Sequence, residues 1–315
     1  MYTVDFGFRA FTHPHPAAAL AVLGMPGGVF WPYFAGAVIL AVGLPLVLKN
    51  EVPPARGLDK LIPFGRLFYA LPMAVFGAEH FTSAKIIASI VPSWFPAHLF
   101  WVYFVGTALF AAALSLATKR VAPLAATLAG IMFFLFVVLI HIPHVAAHPH
   151  DRFFWALALR DTAFSGGALA YAGAHTGEVR TRGLPWMITV GRFFIALPAV
   201  FFGVEQILHP TFIPGIPLNK VTLAWVPGRL FWAYLTGSVL LVAGVSLVLK
   251  QRARLAAACV GIVIFLVVAF VYLPTLLAHP SDIGNELNYV VDTLMFSGAA
   301  LLLADALPRQ AQPQA

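Results

Sequence analysis

The sequence predicts an all-α integral membrane protein with about nine transmembrane helices, and two observations carry this prediction. Of the 315 residues, 61% are hydrophobic and only 10% are charged, whereas a soluble domain carries roughly 25% charged residues. The apolar residues also fall into stretches of about 20, the length a helix needs to cross a bilayer. Nine such stretches lie near residues 29–48, 64–80, 98–117, 122–142, 153–173, 189–207, 229–249, 254–274 and 286–306.

The chain repeats itself after the first stretch. GRLFYALPMAVFGAEHF from residue 65 matches GRFFIALPAVFFGVEQI from residue 191, and RDTAFSGGAL from residue 160 matches VDTLMFSGAAL from residue 291. Because each repeat holds an even number of helices, we expect two four-helix bundles in parallel orientation, unlike an inverted repeat. The predicted units are residues 64–188 and 189–315. They follow residues 1–63, which hold a tail and an extra helix that resembles the second helix of a unit.

The cations predict the orientation. Assigned to alternate sides of nine spans, thirteen Lys and Arg residues fall on one side and six on the other. The positive-inside rule then predicts a multi-pass protein of the cell (inner) membrane, with an extracytoplasmic N-terminus and a cytoplasmic C-terminus. The first residues show no signal-peptide pattern, so the first span is expected to direct insertion.

Composition also excludes several classes of function. The net charge is +7, but no basic run exceeds two consecutive residues, so the cations indicate topology and no nucleic-acid partner is expected. The bilayer is the expected surrounding, together with other membrane or extracytoplasmic subunits. Cys259 is the one cysteine, which excludes an internal disulfide or thiolate cluster. Redox chemistry would therefore need a bound cofactor, a quinone or a partner protein.

Ionisable residues near the outer ends of the spans are the candidate ligand site. Such groups cost ~2.5–3.5 kcal/mol each inside a bilayer and are normally paired. We expect helices one, two and four of each unit to converge there, with Arg160 and Arg229 each neutralising carboxylates of its own unit. The cluster would either lock the bundle or form a pocket for an anion or a quinone head group. Its members are Glu79, His80, His98, Arg160, Asp161, Glu205, Arg229 and Asp292.

Two further groups of polar residues lie near the ends of the spans. His141, His144 and His148 lie in HIPHVAAHPH, where the first pair has the i, i+3 spacing of metal ligands on one helix face. The alternative is a set of polar interfacial histidines, since Pro143 and Pro149 interrupt regular helix. Arg66 and Arg192 open their helices after glycine, and we expect them to extend toward lipid phosphate.

These features resemble the DoxX-like superfamily of small four-helix membrane proteins, which includes the DoxD subunit of thiosulfate:quinone oxidoreductases. The resemblance rests on a first helix that opens with Gly-Arg and ends in FGAEHF or FGVEQI, and on a fourth helix with DTAFSGGAL or DTLMFSGAAL. It covers residues 64–175 and 190–306. The fusion of two units and the extra N-terminal helix depart from the family pattern. The resemblance implies quinone-linked chemistry in some members and other roles in others.

Three functions are compatible with the sequence. The protein could be a membrane subunit of a quinone-linked oxidoreductase with a polar outer pocket, or a structural or assembly subunit of a larger complex. It could also be a small-solute transporter, although parallel units and few polar groups in the cytoplasmic half argue against a path across the bilayer.

Overall fold

The computed structural model describes residues 26–55, 57–176, 184–211 and 228–308, apart from the side chain of Leu58. The prediction about a signal peptide lies outside these residues. Within them the chain is helical and contains no strand. The long helical segments are α1 (Gly27–Asn50), α2 (Phe64–Thr82), α3 (His98–Thr118), α4 (Ala122–Ala147), α5 (Arg152–His175), α6 (Pro185–Leu208), α7 (Arg229–Val248), α8 (Ala253–Ala278) and α9 (Ile283–Ala306).

Seven of these helices are long and apolar enough to cross a membrane, namely all except α2 and α5. The protein is therefore a helical, multi-pass membrane protein. The two exceptions carry charged side chains, such as Arg66 on α2 and Arg160 on α5, and both helices are extensively buried by their neighbours. A helix that contacts other helices rather than lipid does not need an apolar surface. That α2 and α5 also span the bilayer remains a prediction.

The centre of the molecule is the contact between α5 and α9. Gly167 of α5 lies so close to Ala299 of α9 that a Cβ atom there would be 2.4 Å from the Ala299 Cα. Glycine at such a crossing lets two helix backbones approach closely, which is how membrane helices gain packing energy. Helix α4 packs on α5, helix α8 packs on α9, and α1 packs on α2 and α3.

The fourth helix of each predicted unit packs against the first helix of the other unit. Helix α9 contacts α2, and helix α5 contacts α6. The contacts are equivalent in sequence: Gly298 faces the backbone of Phe68, and Gly166 faces Phe194. The two predicted units are thus interlocked through their central helices and do not form two separate bundles.

Proline shapes the C-terminal ends of α4 and α8. Each helix contains a π-helical turn, Val137–His141 in α4 and Val268–Tyr272 in α8. Proline follows each π turn at the same spacing. Proline has no backbone N–H group, and its ring crowds the preceding turn of the helix. A locally widened helix therefore suits both sequences. Each helix then ends just before a His-Pro pair. Because π turns often occur at functional sites, the position of His141 at the end of one of them is notable.

Adding a methyl group at the α5–α9 crossing is expected to destabilise the protein. Gly167→Ala would force the two backbones apart, and overpacking of this kind typically costs ~1–3 kcal/mol. Gly28→Ala is the matched control, because nothing lies within 4 Å of a Cβ atom at that position. Thermal unfolding in detergent should show a lower midpoint for Gly167→Ala alone. Equal midpoints for the two variants would contradict the close crossing.

Candidate functional site

A buried polar cluster joins α4, α5 and α9 at the end of the bundle predicted to face outward. The Nε2 atom of His141 lies 2.8 Å from Oδ2 of Asp161, and Nε of Arg160 donates to Oδ1 of the same carboxylate at 2.8 Å. Nη1 of Arg160 donates to Oδ2 of Asp292 at 2.9 Å. Asp161 and Asp292 are 4% and 7% exposed. We call His141, Arg160, Asp161 and Asp292 the outer cluster.

Local structure explains why these four side chains meet. The π turn of α4 directs His141 toward α5, and Arg160 and Asp161 are consecutive on α5. Helix α9 crosses α5 closely enough for Asp292 to reach Arg160. The cluster therefore depends on the same close approach of α5 and α9 that Gly167 permits.

The surroundings of the outer cluster are acidic. Glu79 of α2 is near enough to Asp292 for their charges to interact. The amide of Asn288, oriented with its NH₂ group toward Glu79, donates to that carboxylate at 3.0 Å. Three carboxyl groups thus surround one guanidinium and one imidazole. Buried negative charge is costly inside a bilayer, so the hydrogen bonds from Arg160 stabilise the two aspartates that it contacts.

Glu205 forms a second ion-paired group. Its Oε2 atom lies 3.0 Å from Nη1 of Arg152 and 3.7 Å from Nε2 of His209. The expectation that Arg229 neutralises Glu205 or Asp292 is wrong, because in the described part of the chain those carboxylates pair with Arg152 and with Arg160. Both arginines belong to the first predicted unit, whereas the expectation was one arginine per unit.

His80 and His98 are not members of the outer cluster. Nδ1 of His80 bonds the carbonyl of Phe76, 2.7 Å away, and its Cβ packs where α2 crosses Gly106 of α3. Gln206 packs in the same way against Gly237, so this position serves helix contact in both units. His98 opens α3 and is half-buried. Arg229 opens α7 at an exposed position.

The histidines proposed as metal ligands do not converge. His141 turns inward to Asp161, whereas His144 is exposed and bonds the carbonyl of Ile140 through Nδ1. His148 stacks on Phe154 with ring centroids 5.0 Å apart. Across the described ranges, no group of three or more His, Cys, Asp or Glu residues is placed to hold a metal ion. The proline that widens α4 separates His141 from the other two.

A second polar cluster at the opposite end of the helices was missed by the sequence analysis. Arg66 forms an ion pair with Glu51 and donates to the carbonyl of Leu116 at 2.5 Å. Arg192 likewise bonds the carbonyls of Leu247 and Val248. The expected extension toward lipid phosphate is wrong, since each guanidinium instead satisfies carbonyls at a helix C-terminus, which carry partial negative charge.

The polar groups at this end also correct the view that the predicted cytoplasmic half holds few of them. Nη2 of Arg254 lies 3.2 Å from Oδ1 of Asp59, and Nε2 of His175 lies 3.4 Å from Oδ2 of Asp305. The acidic residues that flank the spans were the only sign of this cluster in the sequence. Their basic partners could not be predicted, because each pair joins residues that are more than 100 positions apart in the sequence.

The chain matches no protein-family model, no curated protein and no solved structure.

Proposed function

We propose that the protein is the membrane subunit of a quinone-linked oxidoreductase and that the outer cluster holds the quinone head group. A partner protein would supply electrons, since the single cysteine offers no thiol relay. Reduction of a quinone to a quinol takes up two electrons and two protons. The residues of the outer cluster are suited to the proton part of this reaction.

The hydrogen bonds of Arg160 and His141 carry the proposal. Nε and Nη1 of Arg160 bond the two aspartates, but its Nη2 group makes no hydrogen bond with the described residues. His141 contacts Asp161 through Nε2 and has Nδ1 remaining. A guanidinium N–H group can donate to a quinone carbonyl. An imidazole held by a carboxylate is a common proton donor and acceptor.

The environment supports the same function. The side chains of Arg160 and His141 are 17% and 12% exposed, so the outer cluster is largely dry but reachable. Ionisable groups in such a position are functional candidates by default. The resemblance to DoxX-like proteins is compatible with this chemistry, which it implies for some members of that superfamily.

Removal of the His141 imidazole tests this proposal. The purified protein in nanodiscs should bind a short-chain ubiquinone, measured by saturable quenching of tryptophan fluorescence, and His141→Ala should weaken binding about tenfold through loss of a hydrogen-bonding partner. His144→Ala is the matched control, since that side chain is exposed three residues away. Absence of saturable binding to the unchanged protein, or equal affinity of the two variants, would overturn the proposal.

A structural role is the second candidate. Arg160 links Asp161 of α5 to Asp292 of α9, and so connects the two predicted units. A buried charge network of this kind can hold a bundle in one arrangement, although such a role must be tested for each protein. The rescue experiment in the Discussion separates this role from quinone binding.

We also propose that the chain crosses the membrane nine times as two duplicated four-helix units that follow α1. Equivalent contacts in both halves support the duplication. Ser165 donates to the carbonyl of Gly130 at 2.8 Å, and Ser297 donates to that of Gly261 at 2.7 Å. The cation distribution supports an extracytoplasmic N-terminus and a cytoplasmic C-terminus.

A further inference from the structure

A polar cavity of about 440 Å³ lies at the end of the bundle opposite the outer cluster. The ends of α1, α2, α5 and α9 meet there. Its lining includes Glu51, Arg66, Lys119, Tyr171, His175 and Asp305. The volume lies within the range of ordinary small-molecule sites. We call it the inner cavity.

The walls of the inner cavity carry opposite charges. On one wall, Glu51 accepts from both Arg66 and Lys119, the latter at 2.9 Å, so two cations share one carboxylate. On the other wall, Oδ2 of Asp305 lies 3.4 Å from Nε2 of His175. Among the Lys, Arg, Asp and Glu side chains, the first wall therefore has one excess positive charge and the second has one negative charge. Arg254, which also lines the cavity, is balanced by Asp59.

The side chain of Tyr171 also lines the inner cavity. Tyr171 is only 3% exposed, and its ring stacks on His175 with centroids 4.2 Å apart. Its charged neighbours are Arg66, Asp305 and Glu51. The hydroxyl makes no hydrogen bond with any described residue. Because Tyr171 lines the cavity, its hydroxyl can donate to a ligand oxygen there.

We propose that the inner cavity binds a phosphoethanolamine group, with the phosphate beside Arg66, Lys119 and Tyr171 and the ammonium beside Asp305. The positive wall and the Tyr171 hydroxyl supply donors for phosphate oxygens. The carboxylate of Asp305 accepts from a primary ammonium. At the bilayer surface, phosphoethanolamine is present as a lipid head group. Phosphoethanolamine also exists as a free solute.

Lipid retention tests the proposal. Protein transferred to bilayers of equal parts phosphatidylethanolamine, phosphatidylcholine and phosphatidylglycerol should retain phosphatidylethanolamine preferentially in native mass spectrometry. The quaternary ammonium of phosphatidylcholine cannot donate to Asp305, and phosphatidylglycerol has no ammonium. Equal retention of the three lipids, or preference for phosphatidylglycerol, would overturn the proposal.

Two variants assign the preference to this cavity. Tyr171→Phe removes only the hydroxyl and should reduce the preference for phosphatidylethanolamine about tenfold, as should Asp305→Asn. Tyr103→Phe is the matched control, because the Tyr103 side chain of α3 is 43% exposed and does not line the cavity. An unchanged preference in both cavity variants contradicts the site. If soluble phosphoethanolamine displaces the lipid, the same site binds the free solute. If the lipid is retained in the presence of soluble phosphoethanolamine, the site binds the lipid head group.

Discussion

Replacement of Arg160 by methionine is expected to lower the free energy of unfolding by about 3–5 kcal/mol, the usual cost of stranding a buried charge. Arg160 is the residue that ion-pairs with both Asp161 and Asp292, and both carboxylates are buried. Methionine keeps much of the side-chain length without the charge. Unfolding in detergent, followed by tryptophan fluorescence, measures the difference. Arg120→Met is the control, since Arg120 is exposed, and its effect should stay within about 0.5 kcal/mol.

A second substitution identifies the cause of the loss. Adding Asp292→Asn to Arg160→Met removes one stranded carboxylate, so much of the lost stability should return. If the double variant is no more stable than Arg160→Met, the Arg160–Asp292 contact does not connect the helices as described. Quinone binding by the rescued protein then separates the two proposed functions. If the cluster is purely structural, quinone binding should return together with stability. If the cluster holds the head group, quinone binding should stay weak because the guanidinium is missing.

The second large effect concerns topology. In a Cys259→Ala background, a cysteine at His150 should react with a membrane-impermeant maleimide added to intact cells, and a cysteine at Gln251 should not. Both positions are exposed on the protein, and the positive-inside rule places them on opposite sides. The expected contrast is complete labelling against none.

The same pair of cysteines tests whether α5 crosses the membrane. Three helices, α5, α6 and α7, separate His150 from Gln251. Given that α6 and α7, which are long and apolar enough, both cross the membrane, the two positions lie on opposite sides only if α5 crosses as well. Labelling of both from outside would show that α5 does not cross. Labelling at Gln251 alone would show that the orientation is the opposite of the predicted one. Lysed cells provide the control, because both cysteines should then react.

Helix positions follow closely from the sequence. The predicted stretch 229–249 corresponds to Arg229–Val248, and 153–173 corresponds to Arg152–His175. Apolar length determines these elements, and local signals determine their ends. The side chain of Asp151 accepts from the N–H of Phe153 at 2.9 Å and caps α5, as expected for an aspartate at a helix N-terminus.

Part of the candidate site also follows from the sequence. The cost of burying charge singled out Arg160, Asp161 and Asp292 as candidates, with Arg160 expected beside Asp161 and Asp292 expected beside Arg229. All three candidates lie in the outer cluster, but the contact of Asp292 with Arg160 joins the two units and was not expected. His141 was noticed for a different reason, as a candidate metal ligand. Its actual partner, Asp161, depends on a π turn whose position the hydropathy pattern does not reveal.

The sequence alone determined the membrane class, the order of the helices and the residues too polar to face lipid, because each of these depends on local composition and on distance along the chain. Only the tertiary structure decided which partners those residues have. Asp292 pairs with Arg160 and Glu205 pairs with Arg152 because α9 packs on α5 and α5 packs on α6. Apolar helices of similar composition can pack in several arrangements, and small residues such as Gly167 select among them through close backbone contact. That selection depends on three-dimensional fit, which the periodicity of a single helix does not contain.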